Sequence, residues 1–96
     1  MPTPRTVVHS TAFKKDYKRE KKGRHKKVLA GLLTQALALL ANDLLLPPAN
    51  KDHPLVGDWV GYRDCHLRPD LLLLYRKFDE TTLQLARLGS HSEVFG

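Results

Sequence analysis

The chain has 96 residues, a single cysteine, a formal net charge of +6 and a sequence pI near 9.7. This length suits one domain with a modest core, and the lone Cys65 excludes an internal disulfide and fits a reducing compartment. The first ten residues lack the apolar run of a secretory signal, and polar pairs interrupt the most apolar stretch, residues 28–46, which argues against a membrane span. We therefore expect one cytoplasmic domain over residues 1–96.

The first half of the chain predicts a short strand followed by a pair of helices. Residues 6–8 are typical of a strand, and the hydroxyl of Ser10 or Thr11 can cap a helix that begins directly afterwards. Gly23 suits the end of that helix. Leucines and alanines at helical spacing predict a second helix over residues 24–41, so the two helices form a hairpin.

All of the excess positive charge falls in one short segment, residues 14–27. This segment holds nine Lys or Arg residues and two acidic ones, a local charge of +7, so the other residues together carry −1. Such a run is either a solvated helix face or a surface for a polyanion, and its concentration favours the polyanion. The candidate RNA-binding residues are Lys14, Lys15, Lys18, Lys21, Lys22, Lys26 and Lys27.

The second half changes to the alternating pattern of strands. Residues 59–66 alternate, 68–70 form a turn around a proline, and 71–78 are apolar enough for a strand buried on both faces. A third strand follows over 81–88. The order of strand, two helices and antiparallel meander predicts an α+β fold.

Polar side chains that could perform chemistry cluster in this second half. Asp64 and His66 leave the same face of one strand, and Asp70 begins the next strand after a tight turn. His53 precedes this region in a loop, and a meander would return His91 alongside it. Each also has an ordinary interpretation as a surface histidine, a turn former or a helix cap, but the five residues together favour a site.

Two chemistries are poorly supported by spacing. No H-x-x-x-H or C-x-x-C pattern is present, so a metal site is weakly indicated and no metal or other cofactor is expected. Cys65 and His66 cannot form a nucleophile pair because neighbours on a strand point to opposite faces. Cys65 is therefore interpreted as a small core residue.

Metal-free RNA cleavage matches the cluster better. Attack of a ribose 2′-hydroxyl on the adjacent phosphate needs a base, an acid for the leaving 5′ oxygen, and positive charge at the phosphate. Histidine can supply each of these near neutral pH, and an aspartate can orient it or raise its pKa.

Three motifs in order carry a resemblance to a known family. They are KDHPL at 51–55, W-x-G-Y-R-D-x-H at 59–66 and G-x-H-x-x-x-F-G at 89–96. Together with S-x-x-F-K-K-D from Ser10, they resemble the YafQ family of bacterial toxins, within the RelE/ParE superfamily of type II toxin–antitoxin systems. This likeness spans nearly the whole chain and implies a RelE-like fold, with an N-terminal strand and helix hairpin packed on an antiparallel sheet.

The resemblance also implies an activity and partners. It implies an mRNA interferase that binds the 70S ribosome and cuts mRNA in the ribosomal A site without a metal. It also implies a cognate antitoxin that blocks this activity. Contact with operator DNA would be indirect, through the complex with that antitoxin. The positions matching the family's catalytic residues are His53, Asp64, His66, Asp70, His91 and Phe95.

Roles within this set follow from chemistry and from the strand pattern. We expect His66 and His91 to be the proton-transfer pair, with Asp64 or Asp70 orienting one of them. His53 is expected to stabilise the phosphate, and Phe95 to stack on a base. Arg63 lies on the opposite strand face and is expected to be structural. Two alternatives remain, a ParE-like toxin that acts on gyrase and a basic rRNA- or nucleic-acid-binding module without catalysis.

Overall fold

A computed structural model describes residues 3–96 as a five-stranded mixed sheet with two helices on one face and a short helix on the other. The elements are β1 Thr6–His9, α1 Thr11–Glu20, α2 Leu29–Ala41, β2 His53–Pro54, β3 Arg63–Arg68, β4 Leu71–Asp79, β5 Thr82–Gly89 and α3 His91–Phe95. The strand order is β1-β5-β4-β3-β2, with β1 parallel to β5 and every other pair antiparallel. The predicted α+β class, with its helix pair and meander, is confirmed.

Helix α1 begins where its sequence predicts. The side chain of Ser10 accepts a hydrogen bond of 2.9 Å from the backbone N–H of Phe13, which satisfies one of the free donors of the first turn. Phe13 and Tyr17 lie one turn apart with their rings stacked, and Phe13 is buried against the sheet. The basic residues consequently occupy the outer faces of this helix.

Helix α2 begins later than predicted, at Leu29 instead of residue 24, and residues 24–28 form turns. Arg24, Lys26 and Lys27 would lie in the first turn of the longer helix, where the positive end of the helix dipole disfavours cations. The regular helix therefore starts only after the basic run. None of the helices that the structure describes is long and apolar enough to cross a bilayer.

Strand β4 is the centre of the molecule, as its leucine run predicts. Residues 71–75 are all buried, and alternate side chains enter two apolar clusters on opposite faces of the sheet. The larger cluster lies beneath α1 and α2. The smaller one, built on Leu72 and Leu74, packs against α3 and the segment before β3.

Strand alternation does not extend back to Trp59 as expected. Residues Gly57–Trp59 form a 3₁₀ turn, and the regular strand begins at Arg63. Trp59 therefore packs edge-on against Tyr62, with ring centroids 5.1 Å apart, instead of pointing to the opposite face. This turn brings Trp59 to the face that carries α3.

Candidate active site

A pocket on the face of the sheet opposite α1 and α2 gathers most of the predicted catalytic side chains. Its volume is about 330 Å³. It is lined by His53, Leu55, Val56, Trp59, Asp64, His66, His91 and Phe95. We call it the histidine pocket.

Pairing of β2 with β3 brings the first three polar residues together. His53 lies opposite Asp64 in the register, and His66 follows two residues later on the same face. The Nε2 atoms of His53 and His66 each lie 3.9 Å from a different carboxylate oxygen of Asp64. The two imidazole rings are 6.4 Å apart between centroids, so they flank one carboxylate.

The C-terminal helix α3 supplies the remaining two residues. In the register, His66 pairs with Leu72 and Leu72 pairs with Gly89, so the chain leaves β5 level with His66, with β4 between them. Gly89 has a φ of +156°, which residues with a side chain rarely adopt, and a Cβ atom there would also lie 3.1 Å from Glu93. A capping box between Ser90 and Glu93 then starts α3.

Within α3, the His91 and Phe95 rings lie one turn apart with centroids separated by 4.8 Å. His91 is exposed and Phe95 half-buried, so the imidazole remains accessible while the aromatic ring anchors the helix. Both rings line the histidine pocket. Five of the six predicted catalytic side chains are thus brought together.

Asp64 is the electrostatic centre of the pocket. Only 3% of the residue is exposed, and its Oδ1 atom is buried without a hydrogen-bond partner among residues 3–96. Burial raises the pKa of Asp64 above its ordinary value, and the charges of His66, His53 and His91 oppose the shift only in part. A carboxylate in this setting can hold an imidazolium or share its proton.

The orientation of His53 is fixed by its own loop. The Nδ1–H group donates to the backbone carbonyl of Lys51 at 2.7 Å, which leaves Nε2 facing Asp64. Asp52 fixes the same loop, because its carboxylate accepts hydrogen bonds from Arg63 at 3.2 Å and from the Tyr75 hydroxyl at 2.6 Å. Arg63 therefore supports the loop from outside the pocket, as the strand pattern predicts.

Asp70 is the exception, and the prediction that it reaches the histidines is wrong. Its carboxylate binds the guanidinium of Arg24 at 2.7 Å and the Nε2 atom of His25 at 2.8 Å, in the loop between α1 and α2. The hydrogen bond from Arg24 is the main reason that the pKa of Asp70 is lowered. The pairing of β3 with β4 shifts register between His66 and Arg68, just before the turn that carries Asp70.

The chain matches known proteins over nearly its whole length. Residues 5–96 match the family model described as a bacterial toxin of type II toxin–antitoxin systems, YafQ. The chain belongs to the YafQ toxin family. The membership that the motifs predict is thereby confirmed.

Individual YafQ proteins show the same likeness. The mRNA interferase toxin YafQ of Escherichia coli K12 is 42% identical over 93 residues, which cover 96% of this chain and 97% of that protein. The crystal structure of YafQ from E. coli BL21(DE3) superimposes with a TM-score of 0.83 at 41% identity, covering 96% of this chain and 99% of that one. The E. coli DinJ–YafQ toxin–antitoxin complex matches with a TM-score of 0.77 at 37% identity, covering 98% and 100%.

The predicted RNA-binding lysines of this YafQ-family chain are all exposed. Among residues 3–96 none of the seven forms an ion pair, whereas the acidic residues beside them are occupied. Asp16 is buried between Arg19 and Arg87, and Glu20 contacts Arg19. The positive charge of α1 is therefore not neutralised by its own helix.

Three of these lysines border a second concave surface, which we call the apolar groove. Its volume is about 510 Å³, and it lies between β1, α1 and α2. The lining residues are Val7, His9, Phe13, Lys14, Tyr17, Lys18, Lys21, Leu33, Leu37 and Leu85. An apolar floor with a cationic rim is suited to an amphipathic, acidic partner.

Sequence reasoning did not identify several residues that shape the site. Asn50 donates to the backbone carbonyl of His66 at 2.8 Å, and Asp52 holds the loop of His53. Neither has a spacing that separates it from an ordinary loop residue. Cys65 is buried in the core, and burial raises the pKa of its thiol, so its interpretation as a core residue is confirmed.

Within 3–96 no group of three or more His, Cys, Asp or Glu side chains is arranged to hold a metal ion. The expectation of a reaction without a metal stays a prediction.

Proposed function

We propose that the chain is a ribosome-dependent mRNA endonuclease, the toxin of a type II toxin–antitoxin pair, which cuts mRNA in the ribosomal A site and stops translation. The observation that carries the proposal is the convergence of His53, His66 and His91 around the buried carboxylate of Asp64. The relatives named as mRNA interferases support the same substrate.

The reaction is a transfer within the RNA strand. The 2′ oxygen attacks phosphorus and forms a new P–O bond, while the bond from phosphorus to the 5′ oxygen breaks. One group removes the 2′-hydroxyl proton and another protonates the leaving 5′ oxygen, so the products are a 2′,3′-cyclic phosphate and a 5′-hydroxyl. His66 and His91 are assigned to these two proton transfers because both line the same pocket from different elements.

His53 and Asp64 have supporting roles in this proposal. Because Nδ1 of His53 donates to a carbonyl, a second proton on Nε2 makes the ring a cation that can face the scissile phosphate. Asp64 stabilises whichever imidazolium forms during the cycle. Phe95 offers its half-exposed ring to a base beside the cut.

The place of Asp70 in the reaction is proposed to be indirect. Its contacts with Arg24 and His25 tie the turn after β3 to the loop between α1 and α2, which we call the basic loop. We assign it to positioning that loop relative to the strand that carries His66. Direct participation of Asp70 in proton transfer is the competing assignment.

Ribosome binding is assigned to the exposed lysines between Lys14 and Lys27. Within the described part of the chain these lysines form no ion pair with a carboxylate, and they lie in one segment, which suits a row of rRNA phosphates. Contacts of this kind hold the enzyme in place without reading sequence.

The antitoxin is proposed to place an acidic, amphipathic segment in the apolar groove. Phe13 and Tyr17 would receive its apolar side, and Lys14, Lys18 and Lys21 its carboxylates. A YafQ protein of E. coli has been crystallised with its antitoxin DinJ, which supports a protein partner of this class.

In vitro translation with mapping of mRNA ends tests the proposal. Addition of the protein should produce new ends at A-site codons with a 2′,3′-cyclic phosphate, or the 3′-phosphate formed when that ring opens. Cuts bearing a 3′-hydroxyl and 5′-phosphate would exclude this mechanism. Translation arrest with intact mRNA would favour the binding module, and inhibited DNA supercoiling would favour the gyrase-directed toxin.

A further inference from the structure

Four side chains stack in sequence across the face of the sheet that holds the histidine pocket. The rings of Trp59 and Tyr62 meet edge to face at 5.1 Å between centroids. The guanidinium of Arg76 lies 4.9 Å from the Tyr62 ring and 4.7 Å from the Phe78 ring. We call these four residues the stacked row, and its first member, Trp59, lines the histidine pocket.

The far end of the row is not part of the core. Phe78 is 60% exposed, whereas Leu72 and Leu74, at alternate positions of the same strand, are fully buried. Much of the Phe78 side chain is in contact with water, and the guanidinium of Arg76 packs against its ring. The ring is therefore available as a binding surface.

The planar, charged guanidinium of Arg76 lies between the rings of Tyr62 and Phe78. Its Nε–H donates to the side-chain oxygen of Gln84 at 2.7 Å, which fixes the orientation of the guanidinium. Within residues 3–96 no carboxylate forms an ion pair with it. Its positive charge thus remains available for an anion next to two aromatic faces.

We propose that the stacked row binds the RNA nucleotides that flank the cut, with a base on Phe78 and a backbone phosphate at Arg76. This inference rests on the proposed function, because the row is continuous with the pocket that would hold the scissile phosphate. Alternating aromatic and cationic groups match the alternating bases and phosphates of a single strand. Stacking tolerates any base, so the row contributes affinity and strand direction and not codon choice.

A length series of RNA strands tests this proposal without cleavage. Single-stranded 2′-O-methyl oligoribonucleotides lack the free 2′-hydroxyl and cannot be cut by the proposed reaction, and they are lengthened one nucleotide at a time at either end. Fluorescence anisotropy at constant salt measures the affinity of the full chain for each strand. The wild-type protein should gain affinity at the length at which the strand reaches Phe78, and only for extension from one end.

The variant Phe78→Leu keeps an apolar side chain but removes the ring. It should lose about fivefold in affinity for the longer strands, the lower range of one base–aromatic stack, with no change for the shortest strands. Phe78→Trp should retain the gain with length. Leu45→Ser, at a residue that is 93% exposed and remote in sequence from the row, is the matched control and should resemble the wild type.

Equal affinity of Phe78→Leu and wild type at every length would overturn the proposal, and so would an equal loss at all lengths. A variant that binds RNA normally but no longer copurifies with the antitoxin or with a second copy of the chain would assign the row to a protein partner and also overturn it. Cleavage is scored separately by mRNA end mapping. If no cleavage occurs but the gain with length holds, the proposed function fails while the RNA-binding row stands.

Discussion

The Nε2 atom of His66 lies 3.9 Å from Oδ1 of Asp64, a buried oxygen that accepts no hydrogen bond among the residues that the structure describes. Such a carboxylate is costly to fold because burial disfavours its charge and its hydrogen-bonding capacity is unused. A group that opposes folding and lies between two histidines is expected to serve the reaction.

Asp64→Asn should therefore stabilise the protein while slowing cleavage. Burial raises the pKa of Asp64, so the folded state binds a proton more readily than the unfolded chain. Wild-type stability consequently falls as the pH rises from the ordinary Asp range through the raised pKa, and it stays lowered above that. At pH 8 the variant should gain about 4 °C or more in Tm, the shift that roughly 1 kcal/mol produces in a domain of this size.

Thermal unfolding at about pH 4 and pH 8 measures the effect, which should largely vanish at the lower pH. Asp58→Asn, at an exposed residue outside the histidine pocket, is the control and should leave Tm unchanged at both. A lower Tm for Asp64→Asn at pH 8 would mean that the neighbouring groups stabilise the charged form.

His91→Gln should separate chemistry from binding. The residue is exposed at the start of α3, and the capping box of that helix uses Ser90 and Glu93, so the fold should be retained. Cleavage on programmed ribosomes should slow by about 10²–10⁴, the usual contribution of a general acid or base. Ser92→Gln, one residue further along the exposed surface of α3, is the control. Cleavage by His91→Gln at the wild-type rate would remove His91 from the proton-transfer pair.

Replacing Lys18, Lys21 and Lys22 by Gln should weaken ribosome binding without removing the groups that perform the cleavage. Each phosphate contact that is lost should flatten the slope of log affinity against log salt by roughly 0.7 to 0.9. Ribosome sedimentation across a salt series measures that slope, and some cleavage should persist at saturating protein. Lys77→Gln is a matched control because Lys77 already pairs with Asp43, at 2.7 Å. An unchanged slope in the triple variant would place the ribosome contacts elsewhere.

Variants of the link around Asp70 should distinguish positioning from catalysis. Asp70→Asn, Arg24→Gln and His25→Gln each remove or weaken part of the link between the turn after β3 and the basic loop. If Asp70 acts by positioning that loop, all three should slow cleavage on programmed ribosomes by similar factors. A loss confined to Asp70→Asn would instead give its carboxylate a direct part in the reaction.

Asp16→Ala should destabilise the protein strongly. Burial opposes the charge of Asp16, but hydrogen bonds from Arg87 and the Leu88 N–H outweigh it, and the pKa is lowered. The carboxylate thus stabilises the fold at neutral pH, and this contribution is lost as the pH falls through the ordinary Asp range to the lowered pKa.

The expected loss for Asp16→Ala is about 3 kcal/mol, the lower end for a broken buried pair, because both arginines can be rehydrated. Urea unfolding at pH 7 measures it, with the exposed Asp58→Ala as the control. A change below about 1 kcal/mol would show that Asp16 does not anchor α1 to β5.

Much of the fold could be read from local patterns. The cap at Ser10, the buried leucine run of β4 and the meander follow from hydroxyl chemistry and side-chain periodicity, which are properties of neighbouring residues. The same holds for Asp64 and His66, since alternation alone places them on one face of a strand. The helix boundary at Leu29 was missed because periodicity continues through the basic run, while the helix dipole disfavours cations there.

The sequence by itself determined the fold class, the family and a set of six candidate catalytic residues, five of which line the pocket, because these depend on local periodicity and on motifs that match in order. Only the tertiary structure decided where Asp70 points and how closely the histidines approach Asp64. A carboxylate after a turn can reach several partners, and the choice of Arg24 and His25 depends on a loop that is distant in the chain. The stacked row likewise joins residues from two segments that are adjacent only once β3 and β4 have paired.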